Sequence, residues 1–102
     1  MKSGYKVIWT DHALEELNET FQYLQLNFSD KEISRLARRI ESVVLYISNY
    51  PKLFTESAKG KGVRRAVIAR FNTLYYRVDR KKKQIEILSF FSNRKDPKKI
   101  KL

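Results

Sequence analysis

The chain has 102 residues, which is enough for one domain with a single modest hydrophobic core. Apolar residues make up 42% of it and only five residues are Gly or Pro, so the composition indicates a folded globular chain. The absence of cysteine excludes disulfides, thiolate metal sites and a cysteine nucleophile, and it is typical of the reducing cytoplasm. No apolar run approaches the roughly 18 residues of a transmembrane helix and no signal peptide is recognisable, so we expect neither membrane insertion nor export.

The net charge of +11 is concentrated in the second part of the chain. Residues 1–58 carry seven Lys or Arg and eight Asp or Glu. Residues 59–102 carry fifteen Lys or Arg and only three Asp or Glu. The stretch "KGKGVRRAVIAR" at 59–70 has five positive charges and no negative one. Such an uneven field raises the local concentration of an anionic partner and speeds its encounter. Nucleic acid, the ribosome or an acidic protein segment are therefore the expected partners.

The N-terminal half predicts one strand and two helices. Residues 5–10, "YKVIWT", alternate as a strand does, and Thr10 can cap a helix that follows it. The apolar residues of this first helix recur every three or four positions, at Leu14, Leu17, Phe21, Leu24 and Phe28. The capping box "SDKE" at 29–32 opens a second helix, which ends at Tyr50 because the next residue is Pro51. The two-residue break between the helices predicts a helical hairpin.

In the C-terminal half the apolar residues change to a period of two. This pattern predicts strands over residues 63–69, 71–78 and 84–91, with the charged turn "DRKKK" before the last strand. The element order is then β-α-α-β-β-β over a single domain, residues 1–102. It corresponds to an α+β fold in which the N-terminal helical hairpin packs on one face of a small antiparallel sheet.

The alternation in the third predicted strand separates core from surface. Leu74, Tyr76 and Val78 suit the face beneath the helices, so Tyr75 and Arg77 should point outward from an uncovered face. In the second strand we favour an outward Arg65 over an outward Arg64. Arg and Tyr side chains on such a face can bind phosphates and stacked bases. We therefore predict a site that binds the target or nucleic acid at Lys59, Lys61, Arg64, Arg65, Tyr75, Arg77, Asn93, Arg94 and Lys95.

Five short motifs follow one another along the chain, each occurring once: "YKVIWTDHALEEL", "YP", "VRRAVI", "LYYRVD" and "NRKDP". Together they resemble the RelE/ParE superfamily of toxins from bacterial type II toxin–antitoxin modules, over nearly the whole length. The resemblance implies a cytoplasmic toxin that inhibits growth when it is released from its antitoxin. It also implies a hetero-oligomer with a cognate acidic antitoxin, whose segment covers the basic groove. Neither a metal nor a cofactor is expected.

Two branches of this superfamily differ in the cellular target that they inhibit. RelE-like members enter the ribosome and cleave mRNA, while ParE-like members bind DNA gyrase and do not cut nucleic acid themselves. Cleaving members typically carry Arg where this chain has Thr73, and they supply Tyr or His at or after the last strand, where "NRKDPKKIKL" has neither. Arg94 does match a basic position of the family. The resemblance therefore favours the ParE-like, non-hydrolytic function.

Two alternatives remain open at this point. The first is a metal-independent, ribosome-dependent endoribonuclease, which must activate the 2′-oxygen, stabilise the phosphate and protonate the leaving oxygen. Its catalytic residues would be Arg65, Arg77 and Arg94 for charge, with Lys61 or Lys95 for proton transfer. His12, the single histidine, is interpreted as an exposed residue of the first helical turn. The second alternative is a non-toxic protein that only binds an antitoxin.

Overall fold

The computed structural model describes residues 4–70 and 72–102, and its elements follow the predicted order. They are β1 (Lys6–Trp9), α1 (Asp11–Asn27), α2 (Asp30–Asn49), β2 (Val63–Ala69), β3 (Asn72–Asp79), β4 (Gln84–Ser92) and a short 3-10 helix (Pro97–Lys99). The predicted β-α-α-β-β-β order is confirmed. Phe71, predicted to begin the third strand, lies outside the described residues. Among the described residues no helix is long and apolar enough to cross a membrane.

Local sequence signals set the limits of both helices. The side chain of Thr10 accepts a hydrogen bond from the amide of Ala13 at the start of α1. At the start of α2, Ser29 and Glu32 form the predicted capping box, each side chain accepting from the other residue's amide. These contacts satisfy amides that have no partner within the helix. The hairpin break therefore lies where the sequence predicts it.

The sheet has the strand order β1-β4-β3-β2. Strand β3 runs antiparallel to both β2 and β4, as predicted, but β1 pairs with β4 in parallel. The sheet is therefore mixed and not wholly antiparallel. Alternation within a strand determines which side chains share a face but not which strand becomes its neighbour. The hydroxyl of Thr10 donates to the carbonyl of Ile87 over 2.9 Å and joins the end of β1 to β4.

The main core lies between the helices and one face of the sheet. Leu74 and Tyr76 are fully buried there and Val78 packs against them, so the predicted core face of β3 is confirmed. The hydroxyl of Tyr76 donates to the carbonyl of Pro51 over 2.8 Å. The segment after α2 is thereby tied to the centre of the sheet.

The opposite side of the sheet, called the outer face here, carries a second and smaller apolar cluster. Val63, Tyr75 and Phe91 are buried in it, and Leu88 and Ile100 pack against them. The side chain of Tyr75 is only 6% exposed, so the prediction of an uncovered face with an accessible tyrosine is wrong. The reason is tertiary, because Ile100 of the C-terminal residues 97–102, called the tail here, packs on this cluster.

Candidate functional site

Two arginines of the predicted site are exposed on the outer face. Arg65 lies opposite Tyr75 in the β2–β3 register and is exposed, so it points outward, as the sequence favours. Arg77 lies opposite Val63 on one side and Glu86 on the other. Burial raises the pKa of Tyr75, and the nearby positive charge of Arg65 opposes this only in part. The phenol of Tyr75 therefore stays protonated at neutral pH.

The loop before β2 brings two lysines to the same end of the outer face as Arg77. Lys59 and Lys61 are both exposed and precede Val63, which pairs with Arg77. The turn into the strand uses Gly62 at a φ of 72°, a left-handed conformation that other residues adopt at a cost. Lys59, Lys61, Arg65 and Arg77 thus form one group of cations, called the basic end here.

Arg64 belongs to the predicted site but points to the other side of the sheet. Its Nη1 donates to the carbonyl of Phe54 over 2.7 Å, and its Nη2 lies 3.5 Å from a carboxylate oxygen of Glu56. The side chain of Arg64 is 20% exposed. These contacts hold the loop after α2 against the edge of β2. The role of Arg64 in this structure is to support that loop.

The remaining predicted residues follow β4, at the opposite end of the sheet from Arg77. Arg77 is level with Glu86, and Asn72, five residues away along β3, is level with Ser92, so Arg77 lies roughly 17 Å from the strand end that Arg94 follows. Arg65 lies opposite Tyr75 and is nearer to that end. The guanidinium of Arg94 lies over the ring of Tyr23 on α1, 5.0 Å from the ring centroid. Arg94 is therefore directed toward α1, because the chain turns toward that helix when it leaves the strand.

Asn93 and Lys95 are also held at this second end of the sheet. The hydroxyl of Thr73 donates to the side-chain oxygen of Asn93 over 3.1 Å. Lys95 pairs with Glu19 of α1 at 3.5 Å, with both side chains largely exposed. An exposed ion pair of this kind contributes little to stability. The predicted set of nine residues is thus divided between the two ends of the sheet.

A groove that the sequence analysis did not identify opens between the helices and the ends of β2, β3 and β4. Its volume is about 1030 Å³, and Leu24, Leu36, Ile68 and Phe90 provide apolar walls. Charged side chains also line it, namely Glu16, Glu19, Glu32, Arg35, Arg39, Arg70, Arg94 and Lys95. Residues from both helices and all three strands meet there, so spacing within any one element does not reveal it.

His12 lies outside both of these regions. Its side chain is 41% exposed, but its Nε2 atom is buried and lies 3.4 Å from a carboxylate oxygen of Glu16. That oxygen also accepts hydrogen bonds from Ser89 and from the amide of Phe90. The prediction of an exposed first-turn residue therefore holds for part of the ring only. Within the described residues, no group of three or more His, Asp or Glu side chains could hold a metal ion.

The fold is similar to that of several solved toxin and toxin–antitoxin structures. The chromosomal ParDE toxin–antitoxin system from Pseudomonas aeruginosa matches with a TM-score of 0.72 and 18% identity, over 86% of this chain and 95% of that chain. The YoeB dimer from Staphylococcus aureus matches with a TM-score of 0.59 and 22% identity, over 85% of this chain and 94% of that chain. The RelBE2 toxin–antitoxin complex from Mycobacterium tuberculosis matches with a TM-score of 0.57 and 18% identity, over 90% of this chain and 94% of that chain. At these identities the likeness shows the fold alone.

The sequence itself establishes the family. Residues 7–97 match the family described as ParE toxin of the type II toxin–antitoxin system, parDE. The chain therefore belongs to the ParE toxin family, and the superfamily predicted from the sequence is confirmed. No curated protein matches the sequence.

Proposed function

We propose that this chain is a growth-inhibiting toxin that binds DNA gyrase without cutting nucleic acid and that a cognate acidic antitoxin neutralises it. The environment of Thr73 is the main observation supporting a function without nucleic-acid cleavage. This residue occupies the position where cleaving relatives carry Arg, and it is 4% exposed. Its hydroxyl is engaged with Asn93. Because the single hydroxyl proton of the buried Thr73 is donated to Asn93, it is not available as a donor to a reacting phosphate.

The distribution of the other candidate catalytic residues supports the same conclusion. Arg65, Arg77 and Lys61 belong to the basic end, while Arg94 and Lys95 lie at the second end beside α1. Arg77 lies about 17 Å along the sheet from the strand end that Arg94 follows, and Arg94 lies over Tyr23 of α1, so Arg77 and Arg94 are not placed to contact one phosphate together. A concerted cleavage needs the base, the acid and the charge stabiliser around a single phosphodiester.

Tyr75 is the tyrosine nearest to the exposed arginines, and it is poorly suited to general acid catalysis. Its ring is buried beneath Ile100 and beside Val63. Burial also raises the pKa of this phenol, which makes proton donation harder. A general acid must come within hydrogen-bond reach of the oxygen that it protonates. Covered by the tail, Tyr75 does not meet that condition.

The antitoxin part of the proposal follows from family membership and charge. Type II toxins of this family are defined by a toxin–antitoxin system, and the RelBE2 protein from Mycobacterium tuberculosis is a toxin–antitoxin complex. A net charge of +11 favours an acidic partner. We extend the same assembly to this chain, with the cytoplasm as the compartment.

An mRNA endoribonuclease is the second candidate, and the basic end favours it. Four cations there, Lys59, Lys61, Arg65 and Arg77, line an exposed end of the outer face that can contact a nucleic-acid backbone. In this alternative Arg65 and Arg77 stabilise the phosphate and Lys61 transfers the proton. The alternative requires no contribution from Thr73 or Arg94.

A tightly controlled induction in cells distinguishes these functions. Primer extension on an abundant mRNA is combined with staining for DNA breaks, and an uninduced culture is the control. We expect broken DNA with intact transcripts early after induction. New 5′ ends within codons and intact DNA would identify a ribosome-dependent nuclease and overturn the gyrase proposal. Normal growth with neither effect would leave a non-toxic protein that binds only its partner.

A further inference from the structure

We propose that the turn between β3 and β4 binds the phosphate backbone of duplex DNA, so that this chain contacts DNA directly as well as a protein target. Arg80, Lys81, Lys82 and Lys83 form this turn, called the basic turn here. Such a contact goes beyond the gyrase function and does not depend on it, because DNA binding can be measured on the purified chain alone.

The four cations of the basic turn are not neutralised within the chain. All four residues are exposed. In the ranges 4–70 and 72–102 the ion pairs lie elsewhere, and none of them includes a residue of the basic turn. The carboxylate of Asp79, which precedes the turn, accepts from the backbone amide of Lys82 over 3.2 Å. The turn therefore presents four positive charges to solvent.

Cations on the neighbouring strands extend this positive surface across one end of the sheet. The exposed Lys6 of β1 lies beside the turn, because its amide donates to the carbonyl of Lys83 over 2.9 Å. The basic end, with Lys61 and Arg77, lies on the other side, since Val63 of β2 pairs with Arg77 of β3. The cations thus cover the width of four strands, about 14 Å at roughly 4.8 Å between neighbours.

The backbone of Lys83 points to a role for its side chain. Among the described residues it is the one residue other than glycine with a positive φ, 52°. This left-handed region strains a long side chain, and turns that need it favour glycine or asparagine. Strain of this kind is a sign of function where the local structure would be better served by another residue. What Lys83 supplies, and glycine cannot, is a positive charge at the tip of the hairpin.

The composition of the basic turn favours a phosphate backbone over a protein partner. No apolar residue lies between Asp79 and Gln84. Protein interfaces depend on buried aromatic or aliphatic anchors, and lysine is depleted from them. Clustered lysine and arginine side chains instead gain affinity for nucleic acid by releasing the counterions of its phosphates.

A DNA duplex fits this surface better than a single strand or an RNA helix. Proteins that bind single strands stack the bases on exposed aromatic rings, whereas Tyr75 on the outer face is buried. The basic turn projects past β2, because β3 and β4 pair as far as Asp79 and Gln84 while β2 begins opposite Arg77. The major groove of B-DNA is about 12 Å wide and admits a two-stranded ribbon, but that of A-form RNA is deep and narrow. The cations beside the turn would then meet the phosphates at the rims of the groove.

The direct test measures binding of a fluorescent DNA duplex of about 20 base pairs by anisotropy over a series of salt concentrations. The double variant Lys81→Gln, Lys82→Gln removes two charges from the basic turn. Its matched control, Lys31→Gln, Lys52→Gln, removes two exposed charges from α2 and the segment after it. We expect the turn variant to bind about 30-fold more weakly, with a slope of log affinity against log salt that is shallower by about 2. The control should stay within about threefold of the wild type.

The variant Lys83→Gly separates the charge of this residue from its backbone strain. Glycine relieves the left-handed conformation, so the midpoint of thermal unfolding should rise by about 3 °C. DNA binding should weaken about fivefold at the same time, because one phosphate contact is lost. A higher midpoint with unchanged DNA binding would overturn the assignment of Lys83 to the site.

Three outcomes would overturn the proposal as a whole. The first is equal weakening in the turn variant and its control, which would show that only the net charge matters. The second is tighter binding of a single-stranded RNA of the same length, and the third is displacement of the DNA by polyglutamate at equal charge concentration. If induction in cells leaves the DNA unbroken, the gyrase function fails, while the binding measurement still decides whether the basic turn holds DNA.

Discussion

The hydroxyl of Ser89 donates to the carboxylate of Glu16 over 2.6 Å and joins the first helix to the last strand. The contact lies at a β-bulge, where Tyr75 pairs with Ser89 and Tyr76 with Ile87, so that Leu88 is an extra residue in β4. Leu88 packs in the outer cluster, and because of the extra residue both Ser89 and Phe90 then lie on the helix side of the sheet. A polar side chain in the core is thereby satisfied, and the helix is fixed on the sheet.

Removing this carboxylate should destabilise the fold. In Glu16→Ala the fully buried hydroxyl of Ser89 and the amide of Phe90 lose their acceptor, at a cost of about 1–3 kcal/mol. Glu15→Ala, at an exposed position next to it, is the matched control and should change the free energy of unfolding by less than about 0.5 kcal/mol. Urea unfolding of both variants measures the difference. Equal stabilities would mean that the bond contributes nothing.

Two adjacent arginines should respond differently to the same substitution. Arg64→Gln loses the bonds to the loop after α2 and should lower the free energy of unfolding by about 1–2 kcal/mol. Arg65→Gln removes an exposed charge and should leave stability almost unchanged, while it weakens binding to the target. Thermal unfolding and a target-binding assay on the two variants test this. A larger loss of stability in Arg65→Gln would contradict the assigned roles.

Alkaline pH should unfold the protein partly through Tyr76. Burial raises the pKa of Tyr76 to about 12 from an ordinary value of 10. The protonated phenol is favoured in the folded state, so its contribution is complete below pH 10 and is lost as the pH rises toward about 12. At 1.36 kcal/mol per pKa unit this amounts to about 2–3 kcal/mol.

Tyr76→Phe isolates that contribution. The variant loses the hydrogen bond to Pro51, so it should be less stable than the wild type at neutral pH by about 1 kcal/mol. Between pH 10 and 12 its stability should fall less steeply, because the titrating group is gone. Chemical unfolding at a series of pH values compares the slopes. Parallel slopes would show that Tyr76 does not titrate in this interval.

The tail should control the environment of Tyr75. Ile100→Asp brings a carboxylate into the cluster of Val63, Tyr75 and Phe91, and the tail should detach to hydrate that carboxylate. The pKa of Tyr75 should then fall toward its ordinary value, because burial is what raises it. An NMR titration of the labelled Tyr75 ring measures this, with Lys99→Asp at an exposed tail position as the control. An unchanged pKa in Ile100→Asp would show that the tail does not cover Tyr75.

Much of the fold could be predicted because its signals are local. A capping hydroxyl at Ser29, a proline at position 51 and the alternation through Leu74, Tyr76 and Val78 act on the chain within a few residues. The parallel pairing of β1 with β4 was not predictable in this way. It depends on contacts between residues that are distant in sequence, such as the bond from Thr10 to Ile87.

The candidate site was predictable in composition but not in arrangement. Charge counting identified the cations at Lys61, Arg65, Arg77 and Arg94, but it carried no information about which of them are neighbours. Arg64 and Arg65 are neighbours in β2 and therefore point to opposite faces of the sheet. Arg64 supports the loop after α2, whereas Arg65 is exposed on the outer face. The groove had no signal in any single element, since its residues come from both helices and three strands.

The amino-acid sequence by itself determined the element order, the basic C-terminal part and the family, because each of these follows from residue identity and short-range spacing. The tertiary structure alone decided that the tail covers Tyr75 and that Arg94 turns toward Tyr23. It also decided that an apolar groove lies on the helix side of the sheet. The physical reason is that burial and proximity arise from packing between elements distant in the chain, where many arrangements satisfy the same local pattern.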